Sequence, residues 1–190
     1  MRPVHLPLFF ACAALALVAH AAGAAAADPL EQLVASSATR LAIAEQVALT
    51  KWDGKDRVED APREAVVINS AREQGAARNL EQDWVGDFFR AQIEASKELQ
   101  YSLLATWRRA GAVPVHLPVD LVNNIRPRLD NLQTLFIRQL ADAATIRLGA
   151  SCTTQVAAAV ANYAAEHRLD MAGVRVAALD RAMAGFCLTN

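Results

Sequence analysis

Residues 83–110, DWVGDFFRAQIEASKELQYSLLATWRRA, read as one long helix, with Trp84, Phe88, Phe89, Ile93, Leu103, Leu104 and Trp107 spaced by threes and fours. No proline and no β-branched alternation interrupts the run. A proline-containing linker from Gly111 to Pro118 ends it. Phe89, Ile93, Leu103, Leu104 and Trp107 define the inward stripe, and Gln92, Ser96 and Gln100 fall on that same stripe. Polar groups on a face destined for burial cost free energy unless something pairs with them. Ser96 and Gln100, one turn apart, are therefore candidate ligand contacts.

The same periodicity extends outward on both sides. A first helix runs from about Pro29 to Lys51 and is ended by Trp52-Asp53-Gly54. Asp60-Ala61-Pro62 opens a second, which stops near Gly75, because an Asp cap accepts from orphan amides and an early proline loses no helical bond. Arg126 precedes Pro127 and is expected outside the α region, at the entrance of a fourth helix that Gly149 closes. Two shorter helices follow, from about Cys152 to His167 and from about Asp170 to Cys187. Alanine and leucine dominate, so the fold class is all-α: a single-domain bundle of about six helices.

The first and second helices add charge. Arg40 and Lys51 are eleven residues apart, which at about 100° per residue brings both to one azimuth, roughly 16 Å apart along the axis. Ala44, Val47 and Ala48 lie between them and are small enough to leave room for a ligand; a surface arginine and a lysine serving the helix dipole is the other reading. Asp60, Arg63 and Glu64 fall in the first turns of the second helix, where capping accounts for Asp60 and solvation for the other two unless a ligand gathers them.

The N-terminus bears on the compartment. Arg2, an uncharged run from Leu6 to about Val18, and alanine-rich sequence with A-x-A patterns read as a secretory leader over residues 1–27, leaving one domain over 28–190. The run is shorter than the roughly 18 apolar residues that span a bilayer. Loss of the leader removes Arg2 and no acidic residue, so 19 basic and 20 acidic side chains become 18 and 20. Such a balance argues against a nucleic-acid partner and gives no support for a membrane surface. Cys12 lies in the leader, and Cys152 and Cys187 remain; an even pair in an oxidising compartment suggests one disulfide, with two buried thiols as the alternative.

Only His116 and His167 survive in the mature chain, and no Cys or His pair has ligand spacing, so no transition-metal site is expected. There is no nucleophile elbow and no glycine-rich phosphate loop. What is left is a set of Arg, Lys, Gln, Ser and Glu suited to holding an anion without a covalent step.

The ordered set Arg40, Lys51, Val58-x-Asp60-x-x-Arg63-Glu64 and Ser96-x-x-x-Gln100 resembles the AroQ-type chorismate mutases. The leader, the extra C-terminal helices and the Cys152 and Cys187 pair resemble the secreted, gamma subclass. The resemblance implies rearrangement of chorismate to prephenate, a unimolecular pericyclic step with no cofactor, in a periplasmic or secreted protein, and it leaves a homodimer open. It also implies roles. Arg40 grips one carboxylate and Arg126, or its neighbour Arg128, the other, within one chain. Lys51 and Gln100 donate to the ether oxygen, Asp60 and Glu64 hold the ring hydroxyl region, Arg63 contacts the carboxylate side and Ser96 assists. An isochorismate pyruvate lyase and a non-catalytic periplasmic binding protein are the alternatives.

Overall fold

A computed structural model describes residues 28–188, so the leader lies outside the described residues. Six helices follow in order: α1 (Pro29–Gly54), α2 (Ala61–Ala76), α3 (Gln82–Ala110), α4 (Arg126–Ala143), α5 (Cys152–Glu166) and α6 (Val174–Met183). No strand occurs among the described residues. The all-α reading holds. α3 is the central element and packs against α1, α2 and α6, while α4 covers α1 and α2, and α5 lies on α1.

Phe88, Phe89 and Phe136 form a triangle of edge-to-face rings with centroids 5.4 to 5.9 Å apart, tying α3 to α4. Each is fully buried, and a buried phenyl ring contributes on the order of 1.5–3 kcal/mol. Leu33, Leu99, Ile137, Leu140, Leu179 and Met183 continue this core. A second, smaller cluster of Ala48, Leu104 and Trp107 lies toward the other end of α1 and α3, with Trp52, Val58 and Val113 packed on it. Gln92 sits in the main core: its amide donates to Ser37 Oγ at 2.8 Å and to the Ala182 carbonyl at 3.1 Å, joining α1, α3 and α6.

Helix ends depart from expectation where local chemistry intervenes. α1 runs through Trp52-Asp53-Gly54, because its left-handed residue is Lys55 (φ 55°) and Asp56 N–H closes back on the Lys51 carbonyl at 3.0 Å. Arg126 is helical (φ −59°, ψ −48°), against the expected extended geometry. A π-helical turn, Leu121–Ile125, capped by Asp120, leads directly into α4. The missing amide of Pro127 falls where i→i+5 bonding gives way to i→i+4. α4 stops at Ala143, and Gly149 instead closes a 3₁₀ turn over Ile146–Leu148. α6 is shorter than expected at both ends. The Asp170 carboxylate accepts from Ala172 N–H and its carbonyl from Gly173 N–H, which makes a turn before the helix.

Cys152 and Cys187 form a disulfide across the α5–α6 hairpin. The segment after α6 is clasped to the start of α3: Trp84 Nε1 donates to the Phe186 carbonyl at 2.7 Å, and the Arg147 guanidinium lies 4.3 Å above the Trp84 ring while pairing with Glu81. Gly185 permits the approach, since a Cβ there would stand 2.6 Å from the Asp87 carbonyl oxygen.

Candidate active site

A cavity of about 150 Å³ opens between α1, α2, α3 and α4, on the seam between the two apolar clusters. Arg40, Ile43, Ala44 and Val47 supply the α1 wall; Asp60, Arg63, Glu64 and Val67 come from the start of α2. α3 contributes Ile93, Ser96, Lys97 and Gln100, and α4 contributes Leu129, Asp130 and Gln133. Six of the residues singled out in the sequence, Arg40, Asp60, Arg63, Glu64, Ser96 and Gln100, thus share one enclosure.

Arg40 is the unusual member. It is only 8 % exposed, its Nε is buried without a hydrogen-bond partner, and no carboxylate pairs with it among the described residues. Burial pushes its guanidinium down to about 10, and the nearby Arg63 cation adds to the effect. The group is still charged at neutral pH, held where charge is costly. An anion entering the cavity relieves that cost.

The other charges are already engaged. Asp60 caps α2 by accepting from Arg63 N–H at 3.2 Å, and Glu64 Oε1 accepts in return from Asp60 N–H at 3.3 Å. This is a capping box shifted one residue into the helix. Arg63 reaches across to Asp130 of α4 at 3.4 Å. Lys97 bridges Glu64 at 3.3 Å and Glu94 at 2.6 Å. These bonds raise the Lys97 ammonium above its ordinary value, chiefly through Glu94.

Ser96 and Gln100 are buried and bonded in series along α3: Ser96 Oγ donates to the Gln92 carbonyl at 2.8 Å, and Gln100 Nε2 to the Ser96 carbonyl at 3.0 Å. Gln100 Oε1 has no partner. An amide satisfied only by its own helix gives up little when Nε2 turns to a ligand.

Two expected site residues stand apart. Lys51 lines a separate depression with Trp52, Lys55, Asp56, Leu104 and Arg108, one turn beyond Val47. Equal azimuth with Arg40 did not suffice, because the rise along α1 carries it past the enclosure; Ala48, between them, is fully buried against Leu104 and Trp107. Arg126 is exposed and does not line the cavity, although it begins the α4 stripe that continues through Leu129, Asp130 and Gln133. Its neighbour Arg128 donates to Gln46 Oε1 at 2.6 Å and to Asn124.

Lys97, Asp130 and Gln133 were not singled out in the sequence. Lys97 lies about 100° around α3 from Ser96 and about 60° from Gln100, at the edge of their stripe, and reaches the cavity by its long stem. Gln133 carried a readable signal, since it lies one turn from Leu129 on the same α4 face, whereas Asp130 stands about 100° around from Leu129.

The chorismate mutase type II family model matches residues 31–101, which span α1, α2 and most of α3. The secreted chorismate mutase of Mycolicibacterium smegmatis is 30% identical over 115 residues, covering 60% of this chain and 63% of that protein. That of Mycobacterium tuberculosis is 27% identical over 158 residues, covering 83% and 78%. The crystal structure of chorismate mutase from Burkholderia phymatum superposes with a TM-score of 0.80 at 41% identity, covering 85% of this chain and 98% of that one. With this bundle, this enclosure and a likeness of that extent to a solved relative, the chain belongs to the chorismate mutase family.

Proposed function

We propose that the chain rearranges chorismate to prephenate inside the α1–α4 cavity. One observation carries the reading: a buried, unpaired Arg40 shares a small enclosure with Arg63, Ser96 and Gln100. Chorismate is a dianion, and its reaction breaks an ether C–O bond and forms a C–C bond within one molecule. Nothing is gained or lost, so the protein needs only to hold and to stabilise.

Arg40 binds one carboxylate, exchanging an unfavourable unpaired burial for a charge-assisted bond. Arg63 turns from Asp130 toward the carboxylate side, and Arg126, at the outer end of the α4 stripe, completes the clamp. Clamping both ends folds the flexible side chain over the ring and removes alignment entropy before reaction. Gln100 Nε2 donates to the ether oxygen as negative charge accumulates there. Lys51 swings one turn inward to the same atom. Bonds that strengthen toward the transition state raise turnover rather than merely affinity. Glu64, with Asp60, accepts from the ring hydroxyl, and Ser96 supports that side.

Export belongs to the same reading, supported by the leader pattern of residues 1–27 and by the two mycobacterial relatives named as secreted. Adding purified protein to chorismate should abolish its ultraviolet absorbance and yield prephenate. Unchanged absorbance, or release of pyruvate from isochorismate without prephenate from chorismate, overturns the proposal.

A further inference from the structure

Three carboxylates line the cavity, yet none pairs with the buried guanidinium of Arg40. Each is committed elsewhere. Asp60 is held by the Arg63 amide, Asp130 by the Arg63 side chain, and Glu64 by the Asp60 amide through one oxygen and by Lys97 through the other. Two of these restraints follow from capping and from the α2–α4 contact. The third combines the Asp60 amide with a single side chain of α3.

Lys97 is placed for that task. Its side chain is 17 % exposed and that of Glu64 24 %, so the pair is partly withdrawn from water and less screened than a surface pair. Glu94, one turn before Lys97 on α3, holds the ammonium from the far side at 2.6 Å. The result is a chain of alternating charge, Glu94–Lys97–Glu64, running from α3 to the first turn of α2. Released from it, the carboxylate keeps only the Asp60 amide, and with Arg63 paired to Asp130 the cation of the cavity without a carboxylate partner is Arg40.

We infer that Lys97 is a positioning residue that holds Glu64 off Arg40, keeping the anion seat of the cavity vacant for a carboxylate of the substrate. The inference rests on the proposed mutase reaction for its kinetic consequence, and on geometry alone for its structural one. Without Lys97, Glu64 closes on Arg40 and occupies the seat in cis. The substrate must then displace an internal competitor, which weakens binding more than it slows the bound reaction.

The test combines Lys97→Met, Lys97→Arg and Glu64→Gln. Lys97→Met should raise KM for chorismate about tenfold or more with a smaller change in kcat, and Lys97→Arg should recover most of the loss. In a Glu64→Gln background the Lys97→Met penalty on KM should largely vanish, because a neutral amide does not compete for Arg40. Penalties that simply add overturn the inference, as does a Lys97→Met defect confined to kcat. A crystal structure of the Lys97→Met protein reads the geometry without any assay: Glu64 should lie within ion-pair distance of Arg40, and Glu64 left in its present position refutes the inference. Should Lys97→Met fail to fold, Lys97→Gln carries the same comparisons. Absence of turnover in the unmodified protein would sink the mutase reading while leaving the crystallographic result to decide the role of Lys97.

Discussion

Arg40 shows how a residue can serve function at the expense of the fold. A guanidinium buried without a counter-ion is destabilising, and an apolar side chain of similar length removes the cost. Arg40→Met should therefore raise the melting temperature by several degrees, equivalent to about 1–3 kcal/mol, while lowering kcat/KM at least 10²-fold. Thermal unfolding and chorismate turnover measured on the same preparation check both. Gln100 allows a second prediction, one of sign. Its amide donates at any pH, whereas a carboxyl donates only when protonated. Gln100→Glu should thus keep activity in acid and lose it as pH rises toward neutrality, while the unmodified protein stays active into the alkaline range. A pH–rate profile of each checks this. The residue scale was also the most legible: spacing put Ser96 and Gln100 on a face destined for burial, and the family resemblance gathered Arg40, Asp60, Arg63 and Glu64 with them. Lys97 escaped because periodicity assigns a residue to a face by its Cα and takes no account of a long stem.

At the scale of elements, the sequence pattern located all six α-helices of the described residues but missed the π and 3₁₀ turns that flank α4 and misjudged several ends. The errors fall where a side chain or a tight turn competes with the helix: the Asp170 turn before α6, the left-handed Lys55 after α1, and the π turn ahead of Arg126. Lys51 belongs with them. It lines the neighbouring depression rather than the cavity itself, because nothing in the spacing says where along a helix the partners leave a gap. The loop between α3 and α4 offers an element-level prediction. His116 donates through Nε2 to Asp53 at 2.9 Å and through Nδ1 to the Pro114 carbonyl at 2.8 Å, a pattern that suits the doubly protonated ring. Asp53 first, then Pro114, raises the His116 imidazolium above its ordinary value. The stabilisation is full below the unfolded value of 6.5 and is lost as pH climbs through the higher folded one. Amide exchange of residues 112–120, corrected for intrinsic rates, should accelerate as pH rises above 6.5, and this pH dependence should disappear in Asp53→Asn.

The whole molecule is a helical bundle stapled at its C-terminal end. The Cys152–Cys187 bond has a sequence separation of 35, for which chain entropy predicts about 3–4 kcal/mol of stabilisation. A double Cys→Ser variant should melt roughly 10 °C lower in a calorimetric scan, yet keep its turnover at moderate temperature, since no residue of α5 or α6 lines the cavity. The two apolar clusters carry a different consequence. The Phe88–Phe89–Phe136 core and the Trp52–Trp107 cluster are separate bodies of apolar packing that share Leu103 at their border, so the far end of α1 and α3 can loosen while the aromatic triangle stays shut. Damage to the smaller body, at Ala48, Leu104 or Trp107, is thereby contained and does not reach the rings that join α3 to α4.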